Sequence, residues 1–235
     1  MEKTLQELVD RLREAQRDQL VSVVLYGSAA GSSHHHKASD LNVLCVLTRV
    51  TPAELAASEP IFDWWRKQGN PSPLLLSAEE LRNSTDCFPI EFHDMQERRR
   101  VLFGPDVVKD LVIDKTFYRA QVEMELRSKL LRLRQKAAGM LSDKLALLRL
   151  MVDSVSTFLV LGRHALLVSG LPVWHGKHEV ARHLSAIGVD GAPFDTLLAI
   201  RDEVKHAEDV EPETLFANYL KQIEALVRHV DALEK

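Results

Sequence analysis

The sequence predicts an α+β protein: a mixed β-sheet domain over residues 1–114, then an all-α helical bundle over residues 115–235. Three observations carry this. Two Val- and Leu-rich runs, residues 20–26 and 41–47, bracket a loop of small residues and read as buried strands. Short apolar runs and helical stripes then alternate as far as Asp114. From Lys115 onward apolar residues recur only three or four apart, the period of helices packed on helices.

In chain order, Leu5, Leu8, Val9, Leu12 and Ala15 make residues 3–18 an amphipathic helix that feeds the first strand. Thr51-Pro52 opens a second helix with Pro at a favoured early position, and Pro60 is expected to break it in two. Gly69-Asn70-Pro71 ends it, residues 73–76 read as a short strand, and Ser77 caps a brief helix. The alternation in residues 88–95 reads as a third core strand, and residues 98–106 as a short element leaving the sheet. Beyond Lys115, Tyr118, Val122, Leu126, Leu130, Leu133, Ala137 and Leu141 form one stripe. A helix over residues 143–169, capped by Ser142, is apolar on most of its circumference and belongs at the bundle centre. Further helices are expected near 177–187, from Pro193 to 206, and from Pro212 with Leu215, Tyr219, Ile223, Leu226, Val230 and Leu233 inward.

Composition narrows the function classes. With 46% hydrophobic and 27% charged residues, the chain suits a folded soluble protein rather than a disordered one. Its net charge of −4 argues against a basic coat for duplex nucleic acid, so nucleic acid is not favoured as a partner. Two cysteines give no disulfide framework, and Cys45 reads as a core thiol. The N-terminus has no apolar leader, and the apolar run at residues 155–171 is interrupted by Arg163 and His164 and too short to span a bilayer. A cytoplasmic location and no membrane partner are expected.

The chemistry concentrates between the first two strands. Gly27-Ser28 leaves a strand and opens a loop of Gly, Ser and Ala, which lets backbone N–H groups approach an anion. Asp40 and Asn42 stand two apart at the start of the next strand and so share a face. A phosphate cradle facing a carboxylate suits a Mg-nucleotide.

Strand, Gly-Ser, about a dozen residues, then Ser-Asp-x-Asp on a new strand is the signature of the polymerase-beta-like nucleotidyltransferases. Tyr26-Gly27-Ser28 and Ser39-Asp40-Leu41-Asn42 resemble it, with Asn42 in place of the second carboxylate. The resemblance implies a nucleotidyltransferase-like sheet domain and a third carboxylate on a later strand, which Ile90-Glu91-Phe92 fits. It further implies ATP or another nucleoside triphosphate, with Mg²⁺ or alternatively Mn²⁺. The reaction would transfer a nucleoside monophosphate to a hydroxyl acceptor that the sequence does not identify. Gly27 and Ser28 would hold the terminal phosphates, Asp40, Asn42 and Glu91 would approach the metals, and Glu91 would be the base.

Asn42 offers an oxygen but no charge, so a working enzyme with an altered metal site and a catalytically decayed nucleotide-binding or scaffold protein stay open together. A toxin–antitoxin component is a further alternative, against which the extra helical domain speaks. A homodimer is left open. Elsewhere the plainer reading leads. His34, His35, His36 and Lys37 read as a solvated loop, Arg127, Lys129, Arg132, Arg134 and Lys136 as a solvated face, and Trp174 as packing against the bundle. Arg163 and His164 should find partners.

Overall fold

A computed structural model of the chain describes residues 1–31 and 41–233. The chain divides into two compact units, Met1–Lys115 and Thr116–Lys235.

The first unit is a four-stranded mixed sheet with helices on both faces. Strands β1 (Leu20–Tyr26), β2 (Asn42–Leu47), β3 (Leu74–Ser77) and β4 (Arg99–Phe103) lie in the order β3-β2-β1-β4. β1 is antiparallel to β2 and β4, and β2 is parallel to β3. The period-2 alternation sorts the strand side chains between two cores. Val23, Leu25, Val43, Cys45 and Leu47 pack with α1 (Glu2–Gln16) and α2 (Pro52–Lys67) on one face. Val24, Leu44 and Val46 pack on the other with α3 (Ala78–Asn83) and α4 (Pro89–Glu97), through Leu81, Phe92 and Met95. Burial pushes the Cys45 thiol up to about 12, which fits an inert core residue.

The first core is tied by a buried amide. Gln16 Nε2 donates to Glu54 O at 2.9 Å and to Ser58 Oγ at 2.8 Å, joining the end of α1 to α2. Thr51 starts α2 with a side-chain cap, and Glu54 reaches back to the Thr51 N–H at 2.9 Å. Pro60 does not break α2. The carbonyl it deprives of a partner belongs to Ala56, on the exposed side, where water can replace the lost bond.

Two expectations are corrected here. Residues 88–95 are not a strand; Pro89 opens α4 at its first turn, and Phe88, which strand alternation would bury, is 52% exposed. The third strand beside β1 is β4, in the segment read as leaving the sheet. Its two leading arginines hide the strand from a hydrophobicity pattern, and Arg99 is satisfied by Asp106, with Nε and Nη2 each 2.9 Å from a carboxylate oxygen.

The second unit comprises α5 (Tyr118–Ala138), α6 (Lys144–Val168), α7 (Lys177–His183), α8 (Ala192–Arg201) and α9 (Pro212–Ala232). α6 lies against each of the other four, as its apolar circumference requires. The apolar run at residues 155–171 was read as too short to span a bilayer; the whole of α6 is by length and composition able to cross one, and 11 of its residues are buried in the unit. Asp143, not Ser142, is its cap, accepting the Ala146 N–H at 3.0 Å. In α9 the inward residue of the first turn is Phe216 rather than Leu215.

Candidate functional site

β1 ends at Tyr26, and the backbone turns sharply at Gly27, whose φ of 79° an L side chain rarely adopts. Residues Ser28–Ala30 then form a single 3₁₀ turn. The Gly27 N–H donates to Arg98 O at 3.0 Å, Ala30 N–H to Gly27 O at 3.1 Å, and Gly31 N–H to Ser28 O at 3.3 Å. The N–H of Gly27 is thus committed to holding the loop. Among the described loop residues 27–31, Ser28 is the exposed one.

Three other elements meet this turn. Asn42 opens β2 directly opposite Tyr26, and its Nδ2 lies 3.4 Å from where a Cβ on Gly27 would stand. Strand alternation puts Asn42 on the face of Leu44 and Val46, the face that carries α4. Glu91 sits in the first turn of α4 with its carboxylate exposed, between buried Ile90 and Phe92. It is therefore on a helix, not on the expected strand, although its charge still acts on Tyr26. Burial and then the Glu91 charge raise the Tyr26 phenol above its ordinary value. Arg98 follows α4, and its guanidinium carbon is 3.7 Å from where a Cβ on Gly31 would stand.

Tyr26, Gly27, Ser28, Asn42 and Arg98 thus gather at one end of the sheet, where the Glu91 charge also acts. Asp40 lies outside the described residues, as do His34, His35, His36 and Lys37. Sequence reasoning missed Tyr26 and Arg98 as members of this cluster. Tyr26 was visible as the residue before Gly-Ser, but Arg98 is brought in by the α4–β4 turn, which was misread. The donors present are oxygens, the amide of Asn42 and the carboxylate of Glu91, the type that hard divalent cations take. Donors of this type would suit a hard divalent cation such as Mg²⁺ or Mn²⁺, with one negative charge fewer where Asn42 replaces a carboxylate.

The second unit places its singled-out residues in internal contacts. Trp174 stacks on His183 with ring centroids 3.4 Å apart. Arg163 meets His175 Nδ1 at 3.2 Å, and the buried His164 meets the Tyr118 hydroxyl. His178 bridges Asp195 and Asp202, while Lys177 and Arg201 both reach Ser156 Oγ. Much of the basic run is neutralised within its own unit: Arg127 pairs with Glu123 and Asp231, Lys129 with Glu125, and Arg134 with Glu224.

No protein-family model matches the chain, and no curated protein matches it by sequence. Among solved structures, the chain is similar to the spectinomycin adenyltransferase AAD(9) from Enterococcus faecialis, determined with ATP and spectinomycin. The TM-score is 0.65 at 13% identity, covering 98% of this chain and 99% of that one. The likeness shows the fold: a nucleotidyltransferase sheet unit followed by a helical unit, as the Gly-Ser and Ser-Asp motifs led one to expect.

Proposed function

We propose that this protein binds a nucleoside triphosphate with Mg²⁺ and transfers its nucleoside monophosphate to a hydroxyl acceptor. The observation that carries the reading is the meeting of the Gly27–Ser28 turn and Asn42, where the Glu91 charge also acts, at one end of a nucleotidyltransferase-fold sheet. In this scheme the Ser28 hydroxyl and the Arg98 guanidinium bind the terminal phosphates. Asp40, Asn42 and Glu91 are the oxygen donors that would hold the metal. When bound, the metal neutralises phosphate charge and aligns the in-line displacement. Glu91 accepts the proton of the acceptor hydroxyl, whose oxygen attacks the α-phosphorus. The bond to the β-phosphate breaks and pyrophosphate leaves.

One observation favours a second reading, a nucleotide-binding protein without catalysis: an uncharged Asn42 stands where the motif has a carboxylate. Thermal melting with ATP and Mg²⁺, followed by assay of pyrophosphate release, separates the two. A ligand at a hundredfold excess over its Kd raises stability by about 2.7 kcal/mol. The expected result is a melting shift with Mg-ATP that shrinks in Asp40→Ala, and pyrophosphate release when an acceptor is supplied. Spectinomycin, the acceptor solved with the structural neighbour, is the first to try. A shift without turnover for any hydroxyl acceptor supports the second reading. No shift with any triphosphate overturns both.

A further inference from the structure

We propose, resting on the Mg-nucleotide reading above, that Asn42 divides its amide between two ligands, Nδ2 donating to a phosphate oxygen and Oδ1 meeting a cation, so that the site takes one divalent cation and not two. Pairing of β1 with β2 sets Asn42 directly opposite Tyr26, the residue before the Gly27 turn. A Cβ on Gly27 would meet Asn42 Nδ2 at 3.4 Å, and no other heavy atom beyond its chain neighbours within 4 Å. One arm of the amide therefore faces the turn, and the other is directed away from it. Among the described residues no hydrogen bond of the fold engages that amide, although Asn42 is half-buried. Both arms are left for ligands.

Asparagine has the shape of aspartate with one oxygen replaced by NH₂. A carboxylate accepts through both oxygens and can bridge two cations, as the two-metal clamp on an in-line displacement requires at a spacing of about 3.5–4 Å. An amide accepts through one oxygen, and its NH₂ arm holds two donors, which repel a cation and suit an anion. That donor arm lies on the side of the turn, where the terminal phosphates are received in the proposed scheme. The turn has use for it. The Gly27 N–H, the backbone donor closest to hand, is already given to Arg98 O at 3.0 Å, and Nδ2 supplies a donor in its place. The reverse placement would aim the amide oxygen at phosphate oxygens, acceptor against acceptor. On the phosphate side, then, a donor stands where a carboxylate oxygen would hold a second cation, and Oδ1 remains for a single one.

Electron paramagnetic resonance counts Mn²⁺ on the full chain saturated with a non-hydrolysable ATP analogue, and calorimetry in EDTA measures the affinity for the same analogue. The parent should hold one Mn²⁺ per chain and Asn42→Asp two. In EDTA, Asn42→Ala should bind the analogue about tenfold more weakly than the parent, the loss of one hydrogen bond to a charged group. Asn42→Asp should bind it more weakly still, because a repelling charge replaces the donor, and should gain the most from added Mn²⁺. Should Asn42→Asp fail to fold by circular dichroism, the parent's count and Asn42→Ala decide. Two Mn²⁺ on the parent, a folded Asn42→Asp that still holds one, no metal-free binding by the parent, or an unchanged metal-free affinity in Asn42→Ala overturns the proposal and leaves the nucleotide reading standing. An analogue that binds neither with nor without Mn²⁺ overturns that reading, and the proposal with it.

Discussion

At the residue scale, Asn42 decides what the site can do. Its amide can direct an oxygen at a cation, but it brings no charge to a face shared with Glu91. Asn42→Asp keeps the side-chain length and adds that charge. Two unit charges about 4 Å apart at an effective dielectric near 20 attract by about 4 kcal/mol before desolvation is subtracted, and a third of that is roughly tenfold in affinity. The variant is expected to bind Mg²⁺ or Mn²⁺ more tightly, read as a metal-dependent rise in melting temperature. Without metal it should melt below the parent, because the new carboxylate repels Glu91. If neither quantity moves, Asn42 shares no cation with this cluster. Asn42, Gly27 and Ser28 were legible in the sequence because they sit on a local motif, strand then turn then strand. Arg98 was not, because the turn between α4 and β4 brings it to Gly27 from about seventy residues away in the chain.

At the scale of elements, β4 and the turn after it hold the sheet edge to which the site is attached. Gly104 has φ of 74°, and a Cβ there would lie 2.1 Å from the Val21 carbonyl oxygen. Buried Ser22 closes the same corner, its hydroxyl 2.7 Å from Pro105 O. Gly104→Ala combines left-handed strain with a clash against backbone that cannot swing aside. It should cost about 3 kcal/mol, a large share of a typical folding free energy and visible in urea unfolding. The neighbouring Arg99–Asp106 pair gives a pH signature. The Arg99 guanidinium, with further N–H donors from Val108 and Lys109, holds the Asp106 carboxyl below its ordinary value. A depressed carboxyl stabilises the fold above the ordinary aspartate value of about 4, and that contribution disappears as pH falls through the lower folded value. Asp106→Asn should therefore melt below the parent at neutral pH, by about 1 kcal/mol for a half-buried pair. The gap should close on acidification from pH about 5 to 2. A gap independent of pH would mean that the carboxylate charge contributes nothing.

At the scale of the whole molecule, the segment between the two units is the expected weak point of the chain. Val112 is 84% and Phe117 65% exposed, and residues 112–117 belong to no helix or strand. Limited proteolysis should cut first within residues 112–117 and leave two resistant fragments, one for each unit. A first cut inside β2, where Leu44, Cys45 and Val46 are fully buried, would contradict the sheet.

What the sequence alone determined were the features written in local spacing. The helical stripes specified α5, α6 and α9, the Val- and Leu-rich runs specified β1 and β2, and the helix starts at Pro52 and after Ser77 were marked by an early proline and a side-chain cap. Tertiary structure decided what depends on distant partners. Residues 88–95 alternate like a strand, but Pro89 cannot donate to a central ladder, and Phe92 and Met95 are buried together only as a helix over Val24 and Leu44. Arg99, Arg100 and Val101 become a strand because β1 offers an open edge and Asp106 satisfies Arg99. Glu91 reaches Tyr26 for the same reason: its position follows from where α4 packs on the sheet, a long-range burial that no window of neighbouring residues encodes.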